Sequence, residues 1–139
     1  MDPDLIFWPM IIQAGLTYFI YWLVSERRKQ AIRAGEASVK QFRENNAEPA
    51  RSLFVRNNLE NQFELPVLFF AAVLALHAVG AVTMPALVLA WVFVLSRLAH
   101  AFVHVTTNRI RHRRPLFIAG WLASAGLWAL LALQLAGLM

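Results

Sequence analysis

The chain has 139 residues, 59% of them hydrophobic and 15% charged, an apolar share above the ~45–50% of a soluble domain. It contains no cysteine, which excludes a disulfide, a thiolate metal site and a cysteine nucleophile. Its formal net charge of +5 does not point to nucleic acid: the cations are gathered between hydrophobic blocks rather than interleaved with aromatics on a polar face, and anionic lipid headgroups and membrane topology account for them.

The first apolar block runs from about Leu5 to Val24, about 20 residues, enough to cross roughly 30 Å of hydrocarbon. Asp2 and Asp4 precede it and no Lys or Arg does, whereas a secretory signal would open on positive charge and close on a small-residue cleavage site. The block reads as a retained helix. A basic segment follows, with Arg27, Arg28, Lys29, Arg33, Lys40, Arg43, Arg51 and Arg56. Ala31 to Phe42 suits a helical extension or an interfacial stretch, and Asn45 to Pro49 reads as a break, because proline disfavours helix in the residue before it.

The second apolar block runs from about Phe63 to Val82, preceded by a helical Asn57 to Glu64. Pro66 then falls inside the helix, where a membrane bundle tolerates a kink. Gly80 to Pro85 is a short uncharged turn. The third block covers about Ala86 to Val105, a basic connection with Arg109, Arg111, Arg113 and Arg114 follows, and the fourth block covers about Leu116 to Leu138.

These elements predict an all-α integral membrane four-helix bundle, a single membrane domain over residues 1–139 with spans near 5–24, 63–82, 86–105 and 116–138. Every Lys and Arg except Arg97 lies in the first or third connection, and these share a side. The positive-inside rule makes those loops cytoplasmic and puts the termini outside. Compact loops and the lack of sorting signals suit a bacterial inner membrane.

Polar residues inside such blocks are costly, roughly 2.5–3.5 kcal/mol for a charge at the helix centre, and mark sites. Asn61 and Glu64 are three apart and would share one helix face. The carboxylate suits a ligand amine or a neighbouring arginine, and the amide both donates and accepts. A bare helix-end carboxylate in the headgroup region is the simpler reading. Arg97, His100 and His104, spaced three and four apart, fall on one stripe of the third helix. Arg97 is always charged and needs an anion or a hydrogen-bonding shell. Glu64 is its candidate partner, and a purely structural ion pair is the competing reading. His100 and His104 at i, i+4 also suit a metal, with Glu64 or His112 as further ligands, but no other helix supplies a matching pair and no metal is assigned. His77 falls at the opposite end.

The arginines from Asn108 to Arg114 satisfy topology. They also suit bidentate binding of carboxylates, or lowering the pKa of a bound thiol. Arg27 and Arg28 carry the same two readings. Trp8 and Trp22 flank the first span as interfacial anchors, and Gly120, Ala123, Ser124 and Gly126 predict close helix packing.

With these residues in place, the chain resembles the MAPEG family, the membrane-associated proteins of eicosanoid and glutathione metabolism, and a bacterial-type member of it. The resemblance covers size, four spans, basic loops and two motifs. Asn61, Glu64 and Pro66 match an Asn-x-x-Glu shortly before a Pro at the start of helix two. Arg97, His100 and the arginines around Arg113 match an Arg-x-x-His or Arg-x-x-Tyr followed by a downstream Arg. Two departures stand out. His104 occupies a position where many members have Tyr, and the family Arg four residues before the Asn falls on Asn57, with Arg56 turned about 100° away on a helix.

The resemblance implies a homotrimer that holds glutathione, a co-substrate, at the subunit interface on the cytoplasmic side. Carried over, Asn61, Glu64, Arg97, His100 and His104 would bind glutathione, with Arg28 or Arg27 reaching across the interface, and Arg113 or Arg111 would activate the thiol. The implied function is a glutathione S-transferase or glutathione-dependent peroxidase acting on lipophilic electrophiles. The alternatives are a non-catalytic lipid- or ligand-binding membrane scaffold of the same fold and a di-His metal protein.

Overall fold

The computed structural model describes residues 1–44 and 47–138, and it is all-α. Four helical stretches are long and apolar enough to cross a membrane: Pro3–Arg33, Ala50–Ala78, Met84–Val105 and Ile110–Leu135.

A 3-10 turn at Pro3–Ile6, capped by the Asp2 carboxylate on the Asp4 amide, leads into helix α1, Phe7–Arg33. Its 27 residues span about 40 Å at the helical rise. Helix therefore continues well past the apolar block into the basic segment, where Arg and Lys are good helix formers. A turn with Gly35 at φ +72 ends it. The expected extension over Ala31 to Phe42 is thus interrupted, and only a short α2, Val39–Arg43, follows, capped by Ser38. Of the break expected at Asn45 to Pro49, Asn45 and Asn46 lie outside the described residues; Ala47 to Pro49 are non-helical.

Helix α3 is Ala50–Asn61 and α4 is Leu65–Ala78. This corrects the expectation of one helix from Asn57 onward with Pro66 inside it. Pro66 has no N–H for the carbonyl of Gln62 and its ring crowds that carbonyl. The chain stops at Gln62, turns through Glu64 at φ −95, ψ −97, and restarts with Pro66 in the first turn of α4, where no donor is needed. A turn with Gly80 at φ +67 joins α4 to α5, Met84–Val105, which Thr83 caps. Asn108, at φ +49, marks the turn into α6, Ile110–Leu135.

Helix α5 is the hub: it packs on α6 most extensively and also on α1, α3 and α4. One core cluster joins α4, α5 and α6 around Phe69 and Phe93, whose rings stack 4.1 Å apart at 7°. A second joins α1, α3 and α5 through Leu16, Ile20, Val24, Val55 and Ala101. Gly120, Ala123 and Ser124 are buried against α5, as small residues at a helix contact should be. The outer surface is apolar, with Tyr18, Phe19, Trp22, Leu95, Phe102 and Leu122 exposed. Such a surface suits lipid, not water.

At the end carrying the chain's N-terminus, His77 and Asp4 pair at 2.9 Å and Phe7 lies on the His77 ring, tying the first turn to the end of α4. At the other end lie the basic connections. There the Arg28 guanidinium grips both oxygens of Glu48 at 2.9 and 2.8 Å and sits over the Phe42 ring, Ser52 Oγ donates to the same carboxylate, and Arg51 holds Glu36 bidentately. These pairs fold the α1–α3 connection back on its own helices. Burial alone would raise the Glu48 carboxyl, but hydrogen bonds from Arg28 and Ser52 and the charges of Arg28 and Arg56 outweigh it and hold it below the usual carboxylate value.

Candidate functional site

The break between α3 and α4 creates the site. It exposes the last carbonyls of α3, which an uninterrupted helix would have satisfied. Arg97, projecting from α5, donates Nη2–H to the Asn61 carbonyl at 3.0 Å. Arg97 is wholly buried, the largest side chain to be so among the described residues, and its guanidinium lies 6.0 Å from the Phe117 ring centre. The ion pair expected with Glu64 is absent among the described residues; the helix-end carbonyl takes the hydrogen bond instead. Arg97 Nε and Nη1 and His100 Nδ1 are buried without a partner.

Gly120 makes room for this arrangement. A Cβ there would come within 2.8 Å of Ser96 Oγ and 3.6 Å of Arg97 Cδ, so glycine lets α6 approach α5 beside the buried guanidinium.

Behind the arginine runs a ladder of buried amides linking α1, α3 and α5. Gln13 donates to Gln62 Oε1 at 2.9 Å, Gln62 donates to Asn58 Oδ1 at 3.0 Å, and the amides of Asn58 and Asn61 both donate to His104 Nδ1, at 3.2 and 3.3 Å. His104 Nδ1 is therefore an acceptor, and in the neutral ring the proton sits on Nε2. Enclosed networks of this kind rigidify what they join, because an unpaired amide in low dielectric is costly.

In front of the arginine a cleft of about 340 Å³ opens at the end of the bundle that carries the basic connections, lined by Asn61, Glu64, His100, Ile110, Arg113, Arg114 and Phe117. Its residues come from the α3–α4 break, the last turns of α5 and the first turns of α6. One carboxylate, two guanidiniums, an amide and an imidazole thus face one space with an apolar wall. Arg113 is half-buried and donates to Asn108 Oδ1 at 2.5 Å, which orients it.

Of the residues singled out by sequence, Asn61, Glu64, His100 and Arg113 line this cleft, with Arg97 and His104 behind it. The shared helix face expected for Asn61 and Glu64 does not exist, since the helix stops between them; the turn brings both to the cleft. Arg111 is exposed and is not part of the lining. Arg28 is held by Glu48 and Arg56 by Glu60 at 3.0 Å, each away from the cleft. No group of three or more metal-binding side chains occurs among the described residues.

Gln13, Asn58, Gln62 and Phe117 are site residues that sequence alone does not single out. Gln13 carried a signal, as the amide in the middle of the first apolar block, and Asn58 and Gln62 stand four apart on either side of Asn61. Phe117 carried none, because an aromatic at the start of an apolar block looks like any other.

The profile described as the MAPEG family matches residues 5–133, nearly the whole chain. Neither a search of curated proteins nor one of solved structures finds a match.

Proposed function

The chain belongs to the MAPEG family, and on that premise we propose that it is a membrane-bound glutathione S-transferase or glutathione-dependent peroxidase acting on lipophilic electrophiles. The observation that carries this reading is the cleft, where Glu64, Asn61, His100, Arg113 and Arg114 converge beside Ile110 and Phe117. Glutathione has one ammonium, two carboxylates and a thiol. The cleft offers the Glu64 carboxylate for the ammonium, the Arg114 guanidinium for one carboxylate and the Arg113 guanidinium for the thiol, and polar atoms of Arg97 and His100 beside it lack partners.

In this mechanism Glu64 holds the ammonium, and Arg114 takes a carboxylate bidentately. Asn61 donates to and accepts from the peptide. Arg97 keeps its buried position, fixing the end of α3 so that Asn61 and Glu64 stay in register, and His104 with Asn58 holds the Asn61 amide. Arg113 favours the thiolate over the thiol, since a nearby cation stabilises the charged form, and it stabilises developing negative charge as the reaction proceeds. The thiolate sulfur attacks the electrophilic carbon, a C–S bond forms, and the leaving group departs with its electron pair. Ile110 and Phe117 supply an apolar wall for a substrate arriving from the bilayer.

The reading extends to a homotrimer in a bacterial inner membrane, with the basic loops cytoplasmic, the termini outside and the cleft on the cytoplasmic side. The segregation of Lys and Arg supports that orientation. Calorimetric titration of glutathione into the detergent-solubilised protein tests the binding step. Saturable binding that is weakened in Glu64→Gln is expected; no binding at millimolar ligand in a folded sample overturns the reading in favour of a non-catalytic scaffold.

A further inference from the structure

A second groove, of about 360 Å³, lies between α1 and α5, on a face of α5 other than the one His100 presents to the polar cleft. Phe19, Leu23, Leu98 and Phe102 are among its walls, and the only polar side chains on it, Arg27 and Thr106, lie together at one end. That end belongs to the last turns of α1 and α5, at the level of the basic connections. The groove is apolar through bilayer depth and cationic only at the headgroup level.

The charge of Arg27 is uncommitted. Three cations stand in a row here: Arg28 is bound by Glu48 and Lys29 by Glu26, each at 2.8 Å. Arg27 has no ion pair or hydrogen-bonded side-chain partner among the described residues. Thr106 gives its hydroxyl proton to the Phe102 carbonyl at 2.6 Å, which leaves Arg27 as the donor for a ligand.

We propose that this groove binds an anionic phospholipid, with one acyl chain between α1 and α5 and the phosphate on Arg27. The charge complementarity selects the headgroup: a zwitterionic lipid brings its own ammonium to compete with the arginine, and an anionic lipid does not. The groove shares no lining residue with the polar cleft, and Arg27 on a lipid phosphate would not serve as the residue reaching glutathione across a subunit interface.

The test uses the full-length protein reconstituted in an equimolar mixture of phosphatidylglycerol and phosphatidylcholine with identical chains, followed by quantification of lipid co-purifying after mild detergent extraction. Wild type retains phosphatidylglycerol about fivefold over phosphatidylcholine, the size expected for one arginine beside an anionic headgroup. Arg27→Gln brings the ratio to parity. Arg109→Gln, which removes an exposed cation at the same end of the bundle, leaves it unchanged. Leu98→Trp keeps the charge, narrows the groove and lowers retention of both lipids, so the proposal stays testable if Arg27→Gln does not fold. Parity in wild type overturns the proposal. An equal loss in Arg109→Gln also overturns it, by showing bulk charge attraction, and so does absence of bound lipid together with an Arg27→Gln oligomer change, by showing that a second copy covers the groove.

Discussion

Arg97 caps the C-terminus of α3 by donating to the Asn61 backbone carbonyl at 3.0 Å. The free carbonyls of a helix end carry partial negative charge and attract cations, so the arginine is neutralised in part by backbone. The proline that ends α3 and the arginine that caps it are thus two halves of one arrangement. It sets Asn61 and Glu64 at the cleft without a continuous helix between them.

Arg97→Ala should therefore be destabilising, by about 2–4 kcal/mol, since it removes a charged hydrogen bond, leaves a half-buried helix-end carbonyl unpaired and empties the volume of a wholly buried side chain. Equilibrium unfolding in mixed micelles measures this. A loss under ~1 kcal/mol would show that the cap contributes little.

Arg113→Ala should lower the rate of conjugation with a halonitroaromatic electrophile about a hundredfold, the cost of removing one stabiliser of developing charge. Arg111→Ala should stay within about threefold of wild type by the same reasoning, because its side chain is exposed away from the cleft. Full activity in Arg113→Ala sinks the proposed thiolate role.

Glu64→Gln keeps the shape of the side chain and removes its charge. Glutathione affinity should fall about tenfold, as expected for a charge-assisted bond made neutral, and calorimetry reads this directly. An unchanged affinity would remove Glu64 from the ligand contacts.

Gly120→Ala and Gly126→Ala should differ in cost. At Gly120 the new methyl meets Ser96 Oγ at 2.8 Å, and that hydroxyl is engaged with the Phe93 carbonyl at 2.7 Å. At Gly126 it meets a terminal methyl of Leu89 at 2.9 Å, which can swing aside. Overpacking next to a committed group should cost about 1–3 kcal/mol, and the Gly126 change less. Thermal unfolding of the two variants ranks them.

The Glu48 clasp gives a pH dependence of definite sign. Its carboxyl is held below the ordinary value of 4.5, so the clasp stabilises the folded connection fully above that value and loses its contribution as the pH falls through the lower, folded one. Amide exchange or limited proteolysis of residues 34–49 should show the connection opening as the pH is taken below about 4.5. Glu48→Gln should open it at neutral pH and flatten that dependence.

Four membrane-length helices were legible in the sequence because apolar runs of that length leave a chain few alternatives: in hydrocarbon every backbone group must be satisfied within its own segment. The polar residues within the runs, Arg97 and His100 above all, announced a site for the same reason. The motif that carries Asn61, Glu64 and Pro66 was readable as family membership. Its geometry was not, because helical spacing placed Asn61 and Glu64 on one face, while the proline divides the helix between them.

Partners were decided by the tertiary structure alone. Charge complementarity suggested Arg97 with Glu64, but packing of α5 against the end of α3 brought a backbone carbonyl closer, and a carbonyl leaves no trace in side-chain sequence. Arg28 reads from sequence as a cation at the end of the first span; the fold of the α1–α3 connection sets Glu48 against it. Gln13, Asn58 and His104 are separated widely along the chain and meet only because α1, α3 and α5 pack together. Local sequence determines which segments become helix and which residues are too polar for lipid; long-range packing determines which of those residues meet, because hydrogen bonds depend on fractions of an ångström between helices that no local pattern encodes.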